Sequence, residues 1–176
     1  MAIDESRVFK PINIAVLTVS DTRTAENDTS GDILAERVKA AGHNLAARTI
    51  VRDDAKLLAA QFEAWIDDPA IDAVVSTGGT GLTGRDVTPE ALAMIEGARD
   101  IPGFGELFRW LSFKSIGTST VQSRACAVVA RGTYIFALPG SNGAVKDGWD
   151  GILAEQLDAR NRPCNFVELM PRLKEI

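Results

Sequence analysis

The sequence predicts an α/β fold: a single domain with a largely parallel sheet flanked by helices, plus a small β-hairpin or insertion. Three observations carry that expectation. Residues 12–19 (INIAVLTV), 45–51 and 73–75 are short apolar runs rich in β-branched side chains, as in strands buried on both faces of a sheet. Segments with helical periodicity separate them, so the chain alternates strand and helix. Its 176 residues include 45% hydrophobic and 24% charged side chains, which suits one full-sized core.

Taken in order, residues 1–10 are polar and read as a flexible arm, residues 11–168 as the folded domain, and residues 169–176 as a C-terminal tail over the surface. The first strand ends in Ser20-Asp21, a place where open α/β sheets bind ligands. Thr29 or Ser30 is expected to cap a helix over residues 31–41, which Gly42 ends. His43, the only histidine, is expected as a solvated cap. The second strand closes on Arg52-Asp53-Asp54, and one of those aspartates should cap the helix over residues 55–66.

The stretch AVVSTGGTGLTGRDVTPEAL (residues 73–92) organises the chain. A buried strand runs into Thr77, Gly78, Gly79, Thr80 and Gly81, and Gly84-Arg85-Asp86 then precedes Thr88-Pro89-Glu90. Thr88 reads as an N-cap and Pro89 as the first helical residue. Glycines let a loop aim several backbone N–H groups at one phosphate. A carboxylate such as Asp86 cannot bind that phosphate, but it can hold the Mg²⁺ that bridges phosphate oxygens. Gly79-x-Gly81-x-x-Gly84 also satisfies the dinucleotide fingerprint, although the acid expected about twenty residues later would be Glu106, inside a helix.

Beyond a short helix, residues 101–105 (IPGFG) read as a turn-rich break and residues 106–113 as an amphipathic helix inserted into the alternation. Residues 117–120 form a second small polar loop. Residues 125–130 and 134–138 read as a hairpin turned at Arg131-Gly132-Thr133. Pro139-Gly140-Ser141 then opens a long helix over residues 144–157, a second candidate anion cradle.

The formal net charge of −5 argues against a nucleic-acid or membrane-surface partner. No apolar run reaches the length of a membrane span, and the first residues lack a signal-peptide pattern. Cys126 and Cys164 are far apart in sequence, which fits a reduced, cytoplasmic setting and offers no zinc site. With one histidine and no nucleophile elbow, acyl transfer has little support. Phosphoryl or nucleotidyl transfer, carried by positioning and charge neutralisation, survives this test.

The segments LTVSD (17–21), NDTSG (27–31), TGGTGLTGRDVTPEAL (77–92), PGFGELFR (102–109), GTSTVQSRA (117–125), LPGS (138–141) and QLDARNRPCNF (156–166) occur in that order. In these the chain resembles the MoaB/Mog family of molybdenum-cofactor biosynthesis proteins, and its later segments look closest to the MoaB branch. The resemblance implies a homotrimer or homohexamer that binds molybdopterin. It further implies a nucleotidyltransferase that adenylylates molybdopterin with ATP and Mg²⁺. The alternative is a non-catalytic molybdopterin carrier of the same pathway, and contacts with other proteins of that pathway are implied in either case. Carried onto this chain, the catalytic and metal-holding aspartates fall on Asp53 and Asp86, with Asp54 one residue away as the other register for the first. Substrate and phosphate contacts fall on Ser20, Asp21, Thr77, Gly78, Gly79, Thr80, Gly81, Ser119, Pro139, Gly140 and Ser141, with Ser123 as a further candidate.

Overall fold

The structure, a computed structural model, describes residues 3–173; residues 1–2 of the expected arm and 174–176 of the expected tail lie outside the described residues. Its strands are β1 (Asn13–Val19), β2 (Asn44–Val51), β3 (Ala73–Thr77), β4 (Arg99–Asp100), β5 (Cys126–Ala130) and β6 (Thr133–Leu138). They form one sheet in the order β2-β1-β3-β6-β5-β4. The first four are mutually parallel, β5 is antiparallel to β6, and β4 is antiparallel to β5. The expected hairpin is therefore β5–β6. Its two-residue turn places both Arg131 (φ 50°) and Gly132 (φ 98°) at positive φ, which matches the twist of the flanking strands.

Alternation along the buried strands divides the core into two layers. Ile14, Val16, Val75 and Phe136 face one side of the sheet, against α1 (Thr29–Ala40), α4 (Pro102–Ile116) and α5 (Asn142–Gly148). Ala15, Leu17, Val74 and Ile135 face the other, against α2 (Ala55–Ile66) and α3 (Thr88–Ala93). Phe62 of α2 and Phe108 of α4 are buried, one in each layer. Each such side chain contributes about 2–3 kcal/mol by leaving water.

Several local expectations are corrected. Asp28, not Thr29 or Ser30, caps α1, accepting from the Gly31 N–H at 3.0 Å. Thr88 is not an N-cap side chain: its hydroxyl donates to the Gly78 carbonyl at 2.9 Å, and Val87 occupies the cap position without a side-chain bond. Residues 102–105 are not a break but the first turn of α4, because Pro102 suits N1 and Phe104 and Gly105 are buried. The polar loop after α4 is a 3₁₀ helix, Gly117–Gln122. The long C-terminal helix is interrupted by a π turn, Trp149–Leu153, before α6 (Ala154–Gln156). That wider turn lets Trp149, Ile152 and Leu153 all reach the core.

His43 is buried rather than solvated, and its Nδ1 accepts the Ile12 N–H at 3.3 Å. The described part of the expected arm is tied down. Ile3 bridges Asn161, Arg162 pairs with Asp4 at 3.2 Å, and Arg7 pairs with Glu168 and donates to the Ala159 carbonyl at 2.8 Å. α7 (Phe166–Leu169) and a 3₁₀ turn (Met170–Arg172) complete that packing.

Candidate functional site

The connection from β1 leads to β2 on one side, whereas β3 leads on toward β6 on the other. The carboxyl ends of β1 and β3 therefore flank a topological switch point, where open α/β sheets form their binding crevice. Ser20-Asp21 follows β1, Asp53 follows β2, the glycine loop follows β3, and Pro139-Gly140-Ser141 follows β6, so the four predicted sets share one edge of the sheet. The glycine loop folds back across the end of β1. Gly78 and Gly79 have φ of 106° and 66°, and a Cβ on Gly78 would lie 2.3 Å from the Val19 carbonyl oxygen.

Capping distinguishes the two aspartates after β2. Asp54 accepts the Lys56 and Leu57 N–H groups at 2.9 and 3.0 Å and serves as the N-cap of α2, a bond worth about 1 kcal/mol. Asp53 is left without that structural duty. Burial, and then the charge of Asp86, push its carboxyl above the ordinary value, so Asp53 feels the Asp86 charge. Asp86 is held by its own loop. One of its oxygens accepts both the Thr83 N–H at 2.9 Å and the Thr83 hydroxyl at 2.6 Å. Burial pushes Asp86 up, but those bonds, a bond from Gly81 and the charge of Arg124 bring it net below its ordinary value.

Beside the carboxylates lies a cleft of about 380 Å³, lined by Thr80 and Gly81 on one side and Pro139, Ser141 and Ala144 on the other. Phe108 and Ile116 give it apolar walls, and Asp147 is the one carboxylate in the lining. Its size suits a small heterocyclic ligand. Thr80 lies in its wall, 2% exposed, and its hydroxyl has no hydrogen-bond partner among the described residues. A buried hydroxyl without a partner costs stability, and a ligand in the cleft would relieve that cost.

A probable molybdopterin binding domain matches residues 15–159. The chain is 50% identical over 170 residues to molybdenum cofactor biosynthesis protein B of Escherichia coli, covering 97% of this chain and 98% of that protein. The chain belongs to this molybdopterin-binding family. Among solved structures it matches a crystal structure of molybdenum cofactor biosynthesis protein B with a TM-score of 0.85 at 34% identity, covering 97% of this chain and all (100%) of that one. It also matches the tungsten cofactor synthesizing protein MoaB from Pyrococcus furiosus, with a TM-score of 0.75 at 33% identity over 94% and 99% of the two chains. Its role is in molybdenum cofactor biosynthesis.

Within this family member, the residues singled out from sequence do not all meet the cleft. Ser119 stands exposed on the 3₁₀ turn, outside the lining, while Thr120 and Gln122 of the same turn and Ser123 just after it line it. Thr77 is buried, and its hydroxyl faces the Pro139 carbonyl at 3.2 Å and the Ser30 hydroxyl at 3.3 Å, so it holds loops together. Ser20 uses its Oγ to accept the Thr22 and Arg23 N–H groups. Asp21 is occupied by cations rather than set toward a phosphate: it pairs with Arg85, lies 3.5 Å from the Arg52 Nε, and accepts the Asp53 N–H at 3.3 Å. Among the described residues no group of three or more His, Cys, Asp or Glu side chains is placed to bind a metal. A cation here would be held by two carboxylates and completed by substrate oxygens, as is usual for Mg²⁺.

Arg124 is the main omission of the sequence reading. Its Nε donates to the Gly81 carbonyl at 2.7 Å and its Nη2 to the Asp86 carbonyl at 2.5 Å, while Glu90 pairs with the same guanidinium. The Arg124 N–H also donates to the Thr80 carbonyl at 2.9 Å. One residue thus fixes both ends of the glycine loop. It stands 38 positions from Asp86 and 43 from Gly81, so no local pattern connects them.

Proposed function

We propose that the protein is a Mg²⁺- and ATP-dependent molybdopterin adenylyltransferase. The observation that carries this reading is the placement of Gly81. It forms part of the cleft wall, and its Cβ position lies 2.7 Å from the nearer Asp86 carboxylate oxygen, so a molecule in the cleft ends beside the Asp53/Asp86 pair. The charge of Asp86 raises the proton affinity of Asp53, an arrangement a divalent cation would relieve. Asp53 and Asp86 would hold Mg²⁺, which supplies charge neutralisation on the phosphates when bound.

The cleft takes the pterin. Asp147 offers two acceptors to the N–H groups on the edge of the heterocycle, and Phe108 packs its apolar surface. The terminal phosphate of molybdopterin lies toward the glycine loop, with the Thr80 hydroxyl as a donor. A phosphate oxygen attacks the α-phosphorus of ATP, one phosphorus–oxygen bond forms, the bond to the β-phosphate bridge breaks, and pyrophosphate leaves. The nucleophile is already anionic, so no strong general base is needed, and the residues act by positioning and charge. ATP occupies the carboxylate end, after β2, and the pterin the end after β6.

The exposed apolar side chains Trp110, Phe113 and Ile116 on α4, with Val121 beside them, support self-association as a trimer or hexamer, to be checked by light scattering. Cys126 and Cys164 are both free, which supports a reducing, cytoplasmic setting. No helix among the described residues is long and apolar enough to cross a membrane. ATP binding measured with and without Mg²⁺ tests the reading. Tight binding that needs the metal is expected, and molybdopterin binding with no affinity for Mg²⁺-ATP would instead indicate a carrier.

A further inference from the structure

Arg23 belongs to the loop after β1 and takes no place in the cleft lining. Its guanidinium nevertheless reaches 117 positions along the chain, where Nη2 donates to the Gly140 carbonyl at 2.8 Å. The other end of the guanidinium is anchored. Nη1 donates to Asp28 at 3.3 Å and bonds to the Ser30 hydroxyl. Asp28 is fully buried and is itself fixed by the Thr18 hydroxyl (2.7 Å), the Gly31 N–H (3.0 Å) and Arg48 (2.9 Å). The fork of Arg23 therefore transmits the position of a rigid, buried anchor to one carbonyl of the loop after β6.

We propose that Arg23 is a positioning residue for molybdopterin, acting through the Gly140–Ser141 peptide. In a trans peptide the C=O and the following N–H point in opposite directions. Drawing the Gly140 carbonyl toward Arg23 turns the Ser141 N–H away from it, and Ser141 forms part of the cleft wall. The Ser141 hydroxyl oxygen is taken by the Ala144 N–H at 3.2 Å, which leaves the backbone N–H as the group the peptide orientation controls. A second tie, from the Thr29 hydroxyl to Asn142 at 3.0 Å, holds the loop in place but does not set that peptide. The inference rests on the functional reading above, since it presumes an anionic ligand in the cleft.

The test is titration of ¹⁵N-labelled protein with molybdopterin, read as affinity and as the shift of the Ser141 amide, in the wild type, Arg23→Lys and Arg23→Gln. Mg²⁺-ATP affinity and Tm are measured in parallel. Neither replacement can span Asp28, Ser30 and the Gly140 carbonyl together. The expected result is a Ser141 amide that moves in the wild type and a loss of molybdopterin affinity of about tenfold or more in both variants. Mg²⁺-ATP affinity stays close to the wild-type value, because the carboxylates sit at the other end of the crevice. A merely structural role would lower Tm and both affinities together, and that outcome overturns the proposal. So does a well-folded variant with wild-type molybdopterin affinity, or a wild-type Ser141 amide that stays silent while molybdopterin binds. The wild-type amide decides by itself if neither variant folds. A wild type that binds no molybdopterin overturns the functional reading, and this inference with it.

Discussion

Thr83 donates its backbone N–H and its hydroxyl to one and the same oxygen of Asp86, at 2.9 and 2.6 Å. The carboxylate is thereby turned and kept ionised by a neighbour three residues away, the orientation its proposed role as a cation ligand requires. Asp86 is partly exposed, so this orientation cannot come from packing alone. Local hydrogen bonding of this kind is how a short polar loop can present a preorganised ligand.

Removing the Thr83 hydroxyl should loosen that ligand. Thr83→Ala keeps the backbone bond and loses the hydroxyl bond, so the Mg²⁺ concentration needed for half-maximal turnover should rise about tenfold. Thr83→Ser restores the donor and should return close to the wild-type requirement. Mg²⁺ titration of the steady-state rate measures both.

Two glycines of the same loop should respond in opposite ways. A Cβ on Gly81 would lie 2.7 Å from one Asp86 carboxylate oxygen and 3.0 Å from the other, so Gly81→Ala must displace the carboxylate. Turnover should fall by about a hundredfold, the scale of a misplaced catalytic group. Gly84 has nothing within 4 Å of the same position, and Gly84→Ala should leave the rate near that of the wild type. The loop is exposed at Gly84, so circular dichroism melts should show both variants folded.

The sheet was legible in the sequence for a physical reason, and the candidate carboxylates stood out beside local signals. Strands buried on both faces are nearly continuous apolar runs, and the candidates Asp53 and Asp86 sit beside strong local signals, a helix start and a glycine loop. Other features depend on distant partners. Asp28 caps α1 in place of Thr29 or Ser30 because the Thr18 hydroxyl bonds to it and Arg48 neutralises its charge when buried, and both lie outside the local cap sequence. Burial of Phe104 and Phe108 overrides the turn composition of residues 101–105. Arg124 and Arg23 reach the site across 38 and 117 positions, which no periodicity encodes.

Asp147 should set affinity for the pterin without touching the nucleotide. It is the sole carboxylate of the cleft lining, and its Oδ2 already accepts the Ser115 hydroxyl at 3.3 Å. Asp147→Asn replaces one acceptor with a donor, which the N–H edge of the pterin would oppose. Calorimetry should record molybdopterin binding weakened by about tenfold, with Mg²⁺-ATP binding retained.

His43 predicts the neutral-to-acid limb of stability. Burial pushes its imidazole below 6.5, with the charge of Asp158 opposing the shift, and its neutral Nδ1 accepts the Ile12 N–H. The unfolded chain therefore binds the proton first as pH falls. The contribution is complete above 6.5 and is lost as pH drops through the lower folded-state value. Urea melts between about pH 7.5 and 5.5 should show falling stability in the wild type and a flatter profile in His43→Gln. The mutant should be less stable than the wild type at the upper end.

Adenylyl transfer is proposed at the Asp53/Asp86 pair. Its most direct test is incubation of the purified protein with molybdopterin, ATP and Mg²⁺, following adenylylated molybdopterin and pyrophosphate, alongside Asp86→Ala. Wild-type protein should give both products in equal amounts and Asp86→Ala neither above background, with the variant still folded and still binding molybdopterin. Wild-type protein that binds molybdopterin yet forms no adenylylated product, or an Asp86→Ala variant with the wild-type rate, would contradict it.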